Sequence, residues 1–390
     1  MIHTRLPAAL LASIFFAAGP ASSQEIADTI YMGGPILTID DARPTAEAVA
    51  VRDGRIIAVG PETEVMGYRG DGTEILDLGG RTMLPGFVDS HGHMVMGGLQ
   101  ALAANLLSPP DGPVTDIPSL QTALSQWVED NQEIVDRVNL IVGFGYDNAQ
   151  LAELRHPTRE ELDAVSADIP IMIVHQSGHI GVANSRALEI AGVTAQTEAP
   201  SGGVIRRDET GEPNGVLEEY AFFTVFAPLV AGLGDEGLEA FARAGADLWA
   251  SFGYTTAQEG RATPDVVEVA RRVAEDDGLP IDVVIFPDVL EAADYIAANT
   301  ARDYVDGVRV GGCKLTIDGS PQGFTALRDR PYYDPVGDYP PGYLGYASIT
   351  MEQVQEAVDF CYANDLQILT HSNGEGASDM LIAALGSAQE

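Results

Sequence analysis

The chain has 390 residues, 45% of them apolar, with no repeat and no long low-complexity tract. That suits one large folded domain or two ordinary ones and excludes general disorder. Its 58 acidic residues against 21 basic ones leave a formal charge of -37, a surface that repels nucleic acid and anionic lipid.

The first residues carry an export pattern. Arg5 supplies positive charge, an apolar run follows from Leu6 to Gly19, and the small residues Ala21, Ser22 and Ser23 suit a cleavage point. The run is short for a transmembrane span. We expect a signal peptide over 1–23, lost together with His3, and a periplasmic or secreted mature protein with no membrane partner.

Residues 28–78 read as short strands. Ala46 to Val59 alternates around Asp53-Gly54, a hairpin signal. A Gly79-Gly80 turn leads into Arg81 to His93, which reads as a buried strand ending in polar residues. From there strands alternate with helices. Strands are predicted near 138–143, 170–175, 253–258, 281–286, 307–317 and 366–371. Thr158 with Glu161, and Thr350 with Gln353, form capping boxes. Ile205 to Leu217 reads as a polar hairpin. Alternating strand and helix predicts an α/β fold with a parallel sheet, open or closed into a barrel.

His91 and His93 end the first of these strands, after Leu84-Pro-Gly-Phe-Val-Asp89. Side chains at i and i+2 of a strand share a face, so two imidazoles there make half of a metal site. Asp89 shares that face and can orient a ligand histidine. Lys314 is the sole lysine; the other 20 basic residues are arginines. It lies in an apolar segment, Val308 to Asp318, where a charged amine is costly. Two uses stay open: reaction with carbon dioxide to give a metal-bridging carbamate, or pairing with Asp318 or another carboxylate. His371 ends the apolar strand Leu366 to His371, where barrel enzymes place functional groups, although a lone histidine there stays ambiguous. His175 and His179 suit either substrate contact or loop ordering. His156, before Pro157, reads as structural. Cys313 and Cys361 read as buried small residues, with pairing left open. The chain holds no P-loop, no dinucleotide glycine fingerprint and no Gly-x-Ser-x-Gly elbow. Asp318-Gly-Ser320 reads as a tight turn.

Together these motifs resemble the amidohydrolase superfamily, in particular its amidohydrolase-3 subgroup, which includes N-substituted formamide deformylases. The likeness runs from Ala46 to Gly60 and through Leu84 to His93. It continues in Gly202 to Asp208 with Gly215 to Glu219, and in Gly253-Tyr-Thr-Thr256. It ends with Lys314, Asp318 to Gly323 and Thr370 to Gly374. The resemblance implies a (β/α)8 TIM-type barrel over 83–390, with an insertion at about 100–245, beside a small β-sandwich to which 24–82 contributes. It implies His91 and His93 on a first metal, Lys314 as a carboxylated bridge, and His371 on a second metal. His175 and His179 are candidates for substrate contact. Zinc is the first expectation, one or two ions, with iron, manganese and nickel open. The implied reaction is hydrolysis of a carbon–nitrogen bond in a small amide or formamide by metal-activated hydroxide.

The family pattern also has a sixth-strand histidine and an eighth-strand aspartate. Neither can be placed here, so about five of eight barrel strands and an incomplete chain are expected. The motif at His371 carries Glu375 where aspartate is usual. Two rivals remain: an exported solute-binding protein, and a non-catalytic remnant of the same fold. Homo-oligomerisation is open.

Overall fold

The computed structural model describes residues 25–276, 278–337 and 339–389. The expected signal peptide lies outside them. The chain forms two compact units that divide at Gly86 and Phe87, four residues beyond the expected boundary.

The first unit holds strands β1 (Thr29–Leu37), β2 (Thr45–Arg52), β3 (Arg55–Gly60) and β4 (Glu74–Asp77), in sheet order β3-β2-β1-β4. Among the described residues this is one sheet, a single layer of the expected sandwich. The Asp53-Gly54 hairpin is present. Both turn residues have positive φ, 48° and 70°, which a two-residue turn of this hand requires. Ile30, Ala48, Ala50 and Val65 fill its core.

The second unit opens with β5 (Phe87–Val88). The segment reads as buried in sequence, but Phe87 is 50% and Val88 68% exposed. β5 is only two residues long and pairs on one side, with β12, so one flank stays open. An insertion follows. Its strands are β6 (Ala104–Asn105), β7 (Ile141–Tyr146), β8 (Ile171–His175), β9 (Ile180–Ala183), β10 (Gly203–Arg207) and β11 (Pro213–Glu219). They form one mixed sheet, in order β10-β11-β9-β8-β7-β6. Every residue of β7, β8 and β9 is buried because separate apolar clusters cover the two faces. The polar hairpin is β10–β11.

The chain then returns beside β5 with β12 (Tyr254–Ala262), β13 (Asp282–Pro287), β14 (Val308–Val310), β15 (Gly312–Thr316) and β16 (Gln367–His371). Each successive pair is parallel: β5–β12, β12–β13, β13–β14 and β15–β16. β14 and β15 are one strand broken at Gly311, and Asp288 bridges to Lys314 across the break. Helices Pro264–Asp276, Val289–Asn299 and Met351–Ala363 connect these strands. Strands adjacent in sequence are adjacent in the sheet, with no reversal of order. That is the winding of a βα-barrel rather than of a doubly wound sheet.

Two devices hold the site-bearing strands. Helix Met94–Leu102, directly after His93, packs on helix Gly234–Ser251 through glycines. A Cβ on Gly98 or Gly245 would overlap the Phe241 or Met94 carbonyl oxygen of the opposite helix. Cys313 of β15 and Cys361 of helix Met351–Ala363 are joined by a disulfide, both sulfurs in one apolar cluster. Both residues are buried as expected, and the pairing left open in sequence is a cross-link between them. Among the described residues no single helix is long and apolar enough to cross a membrane.

Candidate metal centre

The carboxyl ends of β5, β12, β15 and β16 meet the β9 side of the insertion. His93, Ser177, His179, Glu259, Lys314 and His371 line one cavity there, of about 150 Å³. His91 and His93 lie just past β5 rather than within it, yet their rings stay neighbours, with centroids 5.8 Å apart. Lys314 Nζ is 2.9 Å from His91 Nε2, and its residue is only 2% exposed. The rings of His179 and His371 are 4.8 Å apart.

Three of the imidazoles are oriented by a ring nitrogen, as in metal sites generally. His93 Nδ1 donates to the Gly260 carbonyl at 2.8 Å. His179 Nδ1 is 2.8 Å from Glu219 Oε2. His371 Nε2 donates to the Gly319 carbonyl at 2.9 Å. Burial, then the Lys314 charge, pulls His93 down to about 4 although half the ring faces the cavity. Burial, then His179, takes His371 to about 3. Both rings are therefore neutral at pH 7, the form that ligates. Burial, followed by the Arg261 guanidinium, lowers Lys314 to about 8, against the pull of Asp288 and Glu259.

Three residues with no assigned chemistry in sequence belong here. Glu259, at the end of β12, is pushed up to about 8 by burial. Its Oε2 accepts from Val95 N at 2.6 Å, and its Oε1 is 4.0 Å from His93 Nδ1. Arg261 lies 3.5 Å from Asp288 and 4.1 Å over the Phe223 ring. Glu219, in the left-handed region at φ 48°, closes β11 against His179. A carboxylate at the end of a predicted strand was the one signal for Glu259. Nothing local marked the other two.

His175 is not brought to this cavity. It is 0% exposed, sits edge-on to Tyr146 and His156, and its Nδ1 contacts Ser177 Oγ at 2.9 Å. Its place is the loop-ordering one; of the two histidines only His179 lines the cavity. Asp318 is no partner for Lys314. Its carboxylate accepts backbone N–H groups from Leu327, Asn373 and Gly374 at 2.8–2.9 Å, which pins the loops after β15 and β16.

Among the described residues no group of three His, Cys, Asp and Glu side chains is placed to hold a metal ion by itself. The chemistry of these imidazoles is that of nitrogen donors to a divalent cation. His93 Nε2 and His179 Nε2 have no hydrogen-bond partner among the described residues, and His91 Nε2 already meets the Lys314 amine.

The amidohydrolase family profile matches residues 74–390. The chain belongs to the amidohydrolase family, in its amidohydrolase-3 subgroup. This amidohydrolase is 30% identical over 370 residues to Protein LONG AFTER FAR-RED 3 of Arabidopsis thaliana, covering 92% of this chain and 60% of that one. It is 34% identical over 197 residues to the N-substituted formamide deformylase of Arthrobacter pascens, covering 50% of this chain and 35% of that protein. The amidohydrolase thus spans less than two thirds of the length of these relatives. An uncharacterised metal-dependent hydrolase from Pyrococcus horikoshii OT3 shares its fold, with a TM-score of 0.68 at 21% identity over 92% of this chain and 68% of that chain. The family implies a divalent metal.

Proposed function

We propose that this amidohydrolase cleaves a non-peptide carbon–nitrogen bond in a small amide or formamide. The observation that carries the reading is the sole lysine, buried midway along parallel strand β15 with its Nζ 2.9 Å from a histidine of the His91-Gly-His93 pair. His91, His93, Lys314 and His371 would hold the metal, zinc first by donor type, in one or two ions. His179 faces the same cavity. Lys314, as the neutral amine, adds its lone pair to carbon dioxide and loses a proton. The carbamate so formed offers two oxygens in place of one ammonium. A bound cation supplies Lewis-acid polarisation of the carbonyl and lowers the pKa of water.

The chain's own groups do the positioning. Phe223 and Met96 form an apolar wall that limits water. Glu219 fixes the His179 ring, and Gly260 fixes His93. Glu259 brings a buried carboxyl beside His93, anchored by the Val95 N–H. The 34% likeness to a formamide deformylase supports this substrate class. The export pattern and the Cys313–Cys361 disulfide support a periplasmic or secreted location.

The test measures formate or amine release from a panel of N-alkyl and N-aryl formamides and amides by the zinc-loaded protein, beside its Lys314→Ala variant. Turnover lost in the variant supports the reading. No release from any member of the panel overturns the substrate class, and full metal content with full activity in Lys314→Ala overturns the bridging role.

A further inference from the structure

A second cavity, of about 640 Å³, lies on the insertion and shares no lining residue with the metal centre. β11 separates the two. Glu219, on one face of the strand, holds His179; Glu218, on the other, lines this cavity. Its volume suits a small organic molecule.

The lining is short of acceptors. Glu218, the one carboxylate among the lining residues, is already used. Arg206 Nε donates to its Oε1, and the Tyr346 hydroxyl donates to its Oε2 at 3.0 Å. Donors remain. His156 is 6% exposed, and its Nε2 is buried with no partner among the described residues. The Tyr146 hydroxyl stands 2.9 Å from the other ring nitrogen, Nδ1. That hydroxyl's hydrogen finds its acceptor in Nδ1, which puts the ring proton on Nε2. Arg206 spends Nε on Glu218 and Nη2 on the Tyr339 hydroxyl at 2.6 Å. Tyr339 and Tyr343 stack with centroids 4.5 Å apart, and both border the cavity. Arg155, Arg206 and Arg207 all line it; Arg155 is paired with Glu161, and the Arg207 guanidinium donates to the Ala195, Gly211 and Thr197 carbonyls, which leaves Arg206 as the cation closest to an open edge.

We infer that this cavity is a second ligand site, distinct from the metal centre, for a small aromatic carboxylate. The carboxylate brings the acceptors that His156 Nε2 and the Arg206 guanidinium lack, in the planar form a guanidinium matches. The ring lies against the tyrosines.

The test titrates the full chain with 4-fluorobenzoate by fluorine NMR, with 4-fluorotoluene as the neutral counterpart. Saturable binding of the carboxylate alone is expected. Arg206→Met should weaken it at least about tenfold, as loss of a charged hydrogen bond does. Should that variant misfold, Val204→Phe fills the cavity from its wall and should do the same with an unchanged circular dichroism spectrum. Lys314→Met should bind like the parent chain. Two results overturn the inference: no saturable binding of 4-fluorobenzoate, or binding that survives Val204→Phe and disappears in Lys314→Met, which assigns it to the metal centre.

Discussion

Lys314 Nζ and His91 Nε2 stand 2.9 Å apart although 223 residues separate them in the chain. The contact joins the middle of β15 to the loop after β5 and makes the lysine a member of the histidine cluster. If Lys314 bridges the metal through a carbamate, Lys314→Arg must fail as completely as Lys314→Ala. A guanidinium keeps the charge but has no free amine to react. Elemental analysis of the purified variants should show metal per chain falling at least about tenfold in both. Retention in Lys314→Arg alone would show that charge, not carbamate formation, is what matters.

Glu219→Gln tests the support of His179. The amide keeps the shape but loses the charge that favours Nδ1–H, so His179 is less firmly oriented. With His179 on the substrate, KM for the formamide panel should rise by roughly tenfold, about the cost of one lost hydrogen bond, with metal content unchanged. Lowered metal content with an unchanged KM would place His179 on the metal instead.

Gly98→Ala tests the helix seam behind His91 and His93. Alanine improves intrinsic helix propensity by about 1 kcal/mol. Its Cβ, however, meets the Phe241 carbonyl, which cannot move without shifting helix Gly234–Ser251. Overpacking of this kind costs about 1–3 kcal/mol. Urea unfolding should show a net loss of stability; a gain means that the helices separate freely.

The Cys313–Cys361 link closes a loop 48 residues apart in sequence, beside Lys314. A loop of that length corresponds to about 4 kcal/mol of denatured-state entropy. Unfolding of the protein with and without reductant should therefore differ by about 2–4 kcal/mol, and the Cys313→Ala, Cys361→Ala double variant should match the reduced form. Equal midpoints would mean that the thiols do not pair.

Acid should destabilise the insertion through His156. Burial holds its imidazole well below the ordinary histidine value. The unfolded chain takes up a proton near pH 6.5 and the folded chain does not. The contribution of the neutral ring is thus fully present above about pH 6.5 and is lost progressively as the pH falls below it. Melting temperature followed from pH 7.5 to 5 should decline less steeply in His156→Asn than in the parent. Parallel curves would show that His156 does not carry the proton linkage.

Local chemistry determined what could be read without coordinates. Asp53-Gly54 turns because both residues tolerate positive φ, and Gln353 caps Thr350 because the two lie three apart on a first turn. Lys314 stood out because one lysine among 20 arginines sits in an apolar segment, and it is indeed buried in β15. The strand that ends in His371 was legible from its apolar run, whereas His91 and His93 fall just past the short, exposed β5. The rest depended on which distant surfaces meet. His175 and His179 have similar neighbours in sequence, yet β8 turns one into the core and the loop before β9 delivers the other to the cavity. Glu219 and Glu259 gain their roles only because β11 and β12 end at the same place. Cys313 meets Cys361 only because helix Met351–Ala363 packs on β15. Turn preference and burial cost belong to a residue and its immediate neighbours. Proximity across hundreds of residues belongs to strand register and packing, which the completed fold alone decides.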